Sequence, residues 1–353
     1  MKRKFAFIGA GSLDFTRGLV RDILTFDAFR DCEIMLMDIN ETRLKYAKDG
    51  VMRIVEAGKY PAVVHATTDR KEALKDADGV LITILQGGVE VWRHDIEIPK
   101  KYGVDICVGD TRGPSGIFRF LRTAPVLLDI IRDVEVLCPN AIVLNYTNPM
   151  AMLVSYLQTQ TEVNVTGLCH SVQGTAEMLA NWIGADPKEI SYTCAGINHQ
   201  AWLLEVSKNG VDLYPEIKRR SLEQGAPPYD RVRHEMMHKF GYYITESSEH
   251  TSEYLPYFIK SAHPELIERF NIPLDEYPRR CIAQIEDWKH RRELLVSEHK
   301  LEHVRTHEYA SYIIESMVYN RVYKLGGNVL NHGLITNLPQ DACVEVPCLI
   351  DAS

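Results

Sequence analysis

The chain has 353 residues, with 40 Lys+Arg against 48 Asp+Glu and a formal charge of −8. That mild acidity excludes the dense basic face a nucleic-acid binder needs, and no apolar run approaches the roughly 18–20 residues of a membrane span. A composition that is 45% hydrophobic and 25% charged excludes a disordered chain or a fibre, and the length suits two domains or one large α/β unit.

Met1-Lys2-Arg3-Lys4 ahead of Phe5-Ala6-Phe7-Ile8 has the outline of a signal peptide, but the apolar stretch meets Asp14 and Arg17 before any cleavage site. A cytosolic start, and so a cytoplasmic protein, is expected. The 8 cysteines contain no CxxC pair and read as reduced thiols, most of them core fillers.

Lys4–Ile8, Glu33–Asp38, Val63–His65, Gly79–Leu85, Ala141–Tyr146 and Val163–Leu168 are strand candidates. Between them lie amphipathic stretches such as Asp14–Leu24, Glu41–Ala57 and Gly116–Val134. Short apolar runs separated by helices predict a parallel sheet covered on both faces. Residues 1–195 are therefore read as a Rossmann-like, doubly wound α/β domain. From Gly196 the alternation is lost and helical stretches dominate, among them Tyr229–Phe240 and Arg280–Leu301. Pro278 sits where a helix can start but not continue. Residues 196–353 are read as a mixed α+β domain. No linker separates the halves, so a large shared interface is expected. The chain stops at Leu349-Ile350-Asp351-Ala352-Ser353 without a helix-ending signal, and is read as cut.

Phe7-Ile8-Gly9-Ala10-Gly11-Ser12 leaves the first strand and opens a helix. Gly9 permits the tight turn, and Gly11 lets a pyrophosphate approach the backbone at the helix N-terminus, beside Ser12. Asp14 stands where the fingerprint has its third glycine, so the motif alone is weak. Asp38 strengthens it, because a carboxylate ending the second strand accepts hydrogen bonds from an adenosine ribose and disfavours a 2′-phosphate. NAD is the expected cofactor.

Ligands of open parallel sheets bind outside the carboxyl ends of the strands. Gln86-Gly87-Gly88, Thr147-Asn148-Pro149 and Cys169-His170-Ser171 fall on that edge, and Asp110 lies in Gly109-Asp110-Thr111-Arg112-Gly113-Pro114 before a helix. Asn148 before Pro149 is read either as a turn or as a ligand contact. Cys169 and His199 have no recognised metal spacing, but Cys169 leaves a strand at the binding edge and His199 lies where the halves meet. One thiolate and one imidazole cannot close a structural zinc site. They can hold an open metal site completed by substrate oxygens and water.

Ile8-Gly9-Ala10-Gly11-Ser12, Asp110-Thr111, Asn145-Tyr146-Thr147-Asn148-Pro149-Met150, Cys169-His170-Ser171-Val172-Gln173-Gly174-Thr175 and Gly196-Ile197-Asn198-His199 occur in this order. As a set they resemble the family 4 glycoside hydrolases, and the likeness continues through Thr245-Glu246-Ser247-Ser248-Glu249-His250 and Asn337-Leu338-Pro339. Cys-His-Ser-Val looks like the α-galactosidase branch, since the phosphoglycosidase branches carry Asp or Asn where this chain has His170. The resemblance implies a lactate/malate dehydrogenase-like architecture and a dependence on NAD and a divalent metal, usually Mn2+. It also implies glycoside cleavage outside the usual two-carboxylate scheme. Hydride transfer from sugar C3 to NAD acidifies the C2–H; a base removes that proton, the C1–O bond breaks by elimination, water adds, and hydride returns.

By the same resemblance Cys169 and His199 match the metal ligands, and Asn148 matches a substrate-hydroxyl contact. His170 matches the acid that protonates the leaving oxygen, or else a hydrogen-bonding neighbour of the metal. Tyr254 matches the base, with Tyr242 a nearby competitor, and Asp110 matches the carboxylate that raises its basicity. Arg93 looks like the substrate-binding Arg of the phosphosugar branch, which points to an anionic substrate. The family continues into further helices beyond Val344-Glu345-Val346-Pro347, and their absence here is a departure. An α-galactosidase acting on a small glycoside as a homo-oligomer, with no nucleic acid or membrane partner, is the leading expectation. The alternatives are an α-glucuronidase or α-galacturonidase of the same family, a 2-hydroxy-acid dehydrogenase-like oxidoreductase, and a non-catalytic NAD-binding protein.

Overall fold

A computed structural model describes residues 2–297, 304–306 and 308–352. Six short strands form the first half: β1 (Lys4–Ile8), β2 (Glu33–Met37), β3 (Val63–Thr67), β4 (Gly79–Ile82), β5 (Ile142–Asn145) and β6 (Val165–Gly167). All pair in parallel in the order 3-2-1-4-5-6, the doubly wound arrangement with its switch point between β1 and β4. Phe5, Phe7, Ile34, Leu36, Val80 and Leu81 are buried because helices cover both faces. On one face the helices Leu13–Leu24 and Glu41–Gly58 bury Leu19, Ile23, Val51 and Ile54. On the other, the helix Gly113–Leu137 buries Leu127, Ile131 and Val134. The strands and helices of this half match the sequence reading to within a few residues.

The second half holds more sheet than its sequence suggested: β7 (Ile190–Ile197), β8 (Gln200–Lys208), β9 (Val211–Asp212), β10 (Tyr243–Ile244), β11 (Tyr323–Leu330) and β12 (Cys343–Ile350). These strands extend the same sheet to 12 strands, in the order 10-8-7-12-11-6, with β9 on the side of β8. Every pairing beyond β6 is antiparallel. The boundary read at residues 195 and 196 therefore falls inside β7. The helix expected at Tyr229–Phe240 occupies Arg231–Phe240. That expected at Arg280–Leu301 occupies Glu276–Ser297, with residues 298–301 outside the described set.

β11 and β12 fill the gap between β6 and β7, where Asn328 pairs with Gly167 and Glu345 with Gly196. Glu345 is fully buried there, its Oε1 accepting from Asn198 Nδ2 at 3.2 Å and Asn328 Nδ2 at 3.4 Å. Burial pushes its carboxyl from 4.5 up to about 7, against the opposing charge of His199 and the two amides. Below pH 4.5 the folded and unfolded chains both hold this proton. As pH rises toward 7 the unfolded chain releases it first, so the fold loses stability, by about 3 kcal/mol in all. Urea unfolding of Glu345→Gln in chelator-containing buffer should show a shallower loss than wild type between pH 5 and pH 8. Equal losses would mean that Glu345 is already ionised in the fold at pH 5.

Candidate active site

At the carboxyl end of β1, Gly9 turns the chain with φ +89°, and a Cβ there would lie 2.5 Å from the Thr83 carbonyl oxygen. A Cβ on Gly11 would lie 2.6 Å from Asp38 Oδ2. The bare backbone lets Gly11 N–H donate to Asp38 Oδ2 and Asn40 N–H to Oδ1, both at 2.8 Å. Asp38 is thus oriented at the end of β2 with lone pairs left for ribose hydroxyls. Ser12 makes no capping bond to the helix Leu13–Leu24, leaving its first amides for an anion. The cradle fits a dinucleotide.

A second centre forms where the 107–112 loop meets the helix Ser248–Tyr254. Glu253 Oε2 accepts from the amides of Cys107 and Val108, both at 2.8 Å, and Oε1 from Gly109 at 3.1 Å. The next residue of the loop is Asp110 and the next of the helix is Tyr254, so this clamp brings the two together. Asp110 is 5% exposed. Thr111 Oγ1 donates to its Oδ1 at 2.8 Å, Asn148 Nδ2 to Oδ2 at 3.3 Å, and His250 Nε2 lies 3.6 Å away. Burial alone would raise the Asp110 pKa. The bond and charge of His250, with His199 and Arg119, outweigh it and hold the carboxyl well below the usual range.

Thr111 spends its one proton on Asp110, so its oxygen accepts from His199 Nδ1–H at 2.9 Å. That assignment turns His199 Nε2 toward Cys169 and Glu246, as a metal-ligating imidazole requires. Cys169 Sγ, His199 Nε2 and a Glu246 oxygen lie within 4.8 Å of one another. Burial opposes charge on His199, but Cys169, Glu246 and Asp110 hold its pKa well above the ordinary value. Metal binding here therefore displaces a proton. The donor set, a thiol, an imidazole and a carboxylate around one point, fits a divalent ion.

Asn148 joins this cluster, with its buried Oδ1 lacking a partner among the described residues. Tyr254 joins it too, its hydroxyl 3.5 Å from His199 Nδ1. Burial and the charges of Asp110 and Glu253 raise the Tyr254 pKa well above 10. Tyr242 is 44% exposed and packs edge-on against Tyr214, away from these residues. His170 is half exposed, bonds Glu308 through Nε2 and stacks on Tyr146.

Arg93 is not brought in. It lies on the exposed side of the helix Gly88–Lys100, paired with Glu97 at 2.8 Å, because Trp92 and Ile96 take the inward positions of that helix. The arginine near Asp110 is Arg119, buried against Trp92 at 4.1 Å and donating to the Asn148 carbonyl at 3.1 Å. Sequence reading quoted Thr111, Glu246 and His250 only within motifs, gave them no role, and passed over Arg119, Glu253 and Glu308. The i, i+4 spacing of Glu246 and His250 was the available signal for that pair. A cavity of about 520 Å³ shares Thr111 with this centre and continues along Arg112, Pro149, Asn198, Gln200 and Trp202.

The model for family 4 glycosyl hydrolases matches residues 4–185, and that for the C-terminal domain of family 4 glycosyl hydrolases matches residues 194–353. An α-galactosidase of Bacillus subtilis is 49% identical over 99% of this chain and 81% of its own length. The 6-phospho-β-glucosidase of Thermotoga maritima, solved with NAD and glucose-6-phosphate, superposes with a TM-score of 0.80 at 22% identity over 100% of this chain and 82% of that one. The malate dehydrogenase of Cryptosporidium parvum superposes with a TM-score of 0.54 at 18% identity, over 99% and 88% of the two chains, and shares the architecture expected from the sequence. With both halves matched and a relative at that identity, the chain belongs to family 4 of the glycosyl hydrolases.

Proposed function

We propose that this chain cleaves α-galactosides, using NAD held at Gly9, Gly11, Ser12 and Asp38 and a divalent metal, Mn2+, held by Cys169 and His199. The observation that carries the reading is the meeting of Cys169, His199, Asp110, Asn148 and Tyr254 at the carboxyl edge of a dinucleotide cradle. The likeness to the Bacillus subtilis α-galactosidase supports an α-galactoside as the substrate. When bound, NAD accepts hydride from C3 and the metal withdraws charge from the sugar oxygens, which acidifies the C2–H.

The chain's own residues do the rest. Asn148 Oδ1 accepts a sugar hydroxyl and fixes the ring. Tyr254 removes the C2 proton. Its hydroxyl is held neutral in the metal-free protein, and a cation alongside lowers its pKa into a useful range. Asp110 keeps the phenolate basic once formed and orients the metal-binding imidazole through Thr111. His170, paired with Glu308 at the exposed edge, hands a proton to the leaving oxygen. Arg93 on its exposed helix lends no support to an anionic substrate.

Residues 1–195 bind the cofactor and lend Asp110, Asn148, Cys169 and His170 to the site, and residues 196–353 complete the catalytic and substrate part. We place the protein in the cytoplasm, where a catalytic thiol stays reduced; the described cysteines are all unpaired. No helix among the described residues is long and apolar enough to cross a membrane. Ile117, Phe118 and Leu121, each about half exposed on one side of the helix Gly113–Leu137, form an apolar patch that supports a homo-oligomer.

Two measurements check this reading. Hydrolysis of nitrophenyl α-galactoside in heavy water should require NAD and Mn2+ and yield galactose deuterated at C2, with no NADH accumulating. Tyr254→Phe should depress turnover and deuterium uptake together by 100-fold or more, in line with loss of a general base. NADH building up in step with product would identify a dehydrogenase instead, and cleavage without NAD would overturn the mechanism. The second measurement is NAD titration by fluorescence. Asp38→Ala should weaken NAD at least tenfold and narrow its advantage over NADP, whereas unchanged affinity would show that Asp38 does not hold the ribose.

A further inference from the structure

We propose that the Glu246 carboxylate is a third protein ligand of the divalent metal, completing a three-donor face with Cys169 and His199. This rests on the metal-dependent reading given above. Glu246 Oε2 lies 3.7 Å from His199 Nε2 and 3.9 Å from Cys169 Sγ. Donor atoms spread in this way can share one ion about 2.0–2.3 Å from each.

The two oxygens of the carboxylate have different surroundings. Oε1 takes the Ser247 amide at 3.3 Å and faces His250 Nδ1 at 3.6 Å. Oε2 faces the thiol and the imidazole. The side chain is 19% exposed, and no lysine or arginine pairs with the carboxylate among the described residues. Arg233 is nearby, but it donates to the Glu246 main-chain carbonyl.

That contact also holds the backbone from which the side chain projects. Glu246 has φ +75°, a left-handed conformation that costs a residue with a Cβ about 1–3 kcal/mol and persists where its surroundings enforce it. Arg233 is buried and held by Asp230 at 2.5 and 2.9 Å, so the carbonyl it grips is anchored to a rigid pair. The strained turn aims the carboxylate at the two other donors.

A rival set, Asp110, His199 and His250, also gathers within 4.8 Å. It would need His199 Nδ1, whose proton is committed to Thr111. The chemistry agrees with the first set. A thiolate and an imidazole by themselves suit zinc or copper, whereas a carboxylate adds the hard oxygen that Mn2+ favours. Three donors on one side of a six-coordinate ion leave the opposite side for sugar oxygens and water.

The test titrates Mn2+ into metal-free protein with NAD present, counting the free ion by its EPR signal, for wild type, Glu246→Gln and Cys169→Ser. Glu246→Gln should weaken Mn2+ binding tenfold or more, approaching Cys169→Ser, and should weaken Zn2+ less. Mn2+ affinity within twofold of wild type in Glu246→Gln overturns the proposal. Wild type that takes up no Mn2+ sinks the metal-dependent reading itself, a separate outcome. If Glu246→Gln does not fold, wild-type crystals soaked in Mn2+ decide. An ion within about 2.5 Å of Glu246 Oε2 supports the assignment, and an ion on Cys169 and His199 with Glu246 beyond bonding distance overturns it.

Discussion

One carboxylate, Glu253, ties the 107–112 loop to the helix Ser248–Tyr254. It collects three consecutive backbone amides, from Cys107 to Gly109, and leaves no room for the loop to shift against the helix. Hydrogen bonds to a charged group are worth about 1.5–3 kcal/mol each. The amides would be costly to bury unpaired, so the clamp repays the desolvation of loop and carboxylate together. Asp110 and Tyr254 follow directly in sequence on the two sides, so neither can move without breaking it. The approach of the Asp110 charge to Tyr254 is in this way set by the residue next to Tyr254.

From Asp110 the order is carried onward by the direction of protons. An ionised carboxylate only accepts, so Thr111 must donate to it and must therefore accept from His199. The free face of the imidazole is decided two bonds away from the metal centre. A buried anion is affordable here because His250, His199 and Arg119 surround it. Burial, with the same anion and Glu253, raises the Tyr254 pKa and keeps its phenol neutral. One charge thus orients the His199 imidazole and shifts the Tyr254 phenol.

The parallel half of the fold was legible because its strands are buried on both faces and read as short apolar runs between amphipathic helices. β7, β8, β11 and β12 were not. Their burial is irregular along the strand, and β11 and β12 pair with strands far earlier in the chain, Asn328 with Gly167 and Glu345 with Gly196, which no local pattern records. The same limit applied to the site. Cys169, Asn148 and Asp110 stand at strand ends or in a glycine-flanked loop, where a motif shows. Arg119, Glu253 and Glu308 lie in helices or an unremarkable loop, and acquire meaning only from what packs opposite. Arg93 stands on the solvent side because one residue's difference on a helix separates it from the inward Trp92.

The interposition of β11 and β12 between β6 and β7 has a kinetic consequence. β6 ends at Gly167 and β7 starts at Ile190, yet the sheet joins them only through strands that begin at Tyr323. During synthesis the cofactor half can close on itself early, while the His199 hairpin waits with an open strand edge for partners still to be made. Such non-local pairing is slow, and an exposed edge invites association with other chains. Conditions that stall the ribosome before residue 323 should therefore leave a nascent chain able to bind NAD but dependent on a chaperone to protect β7.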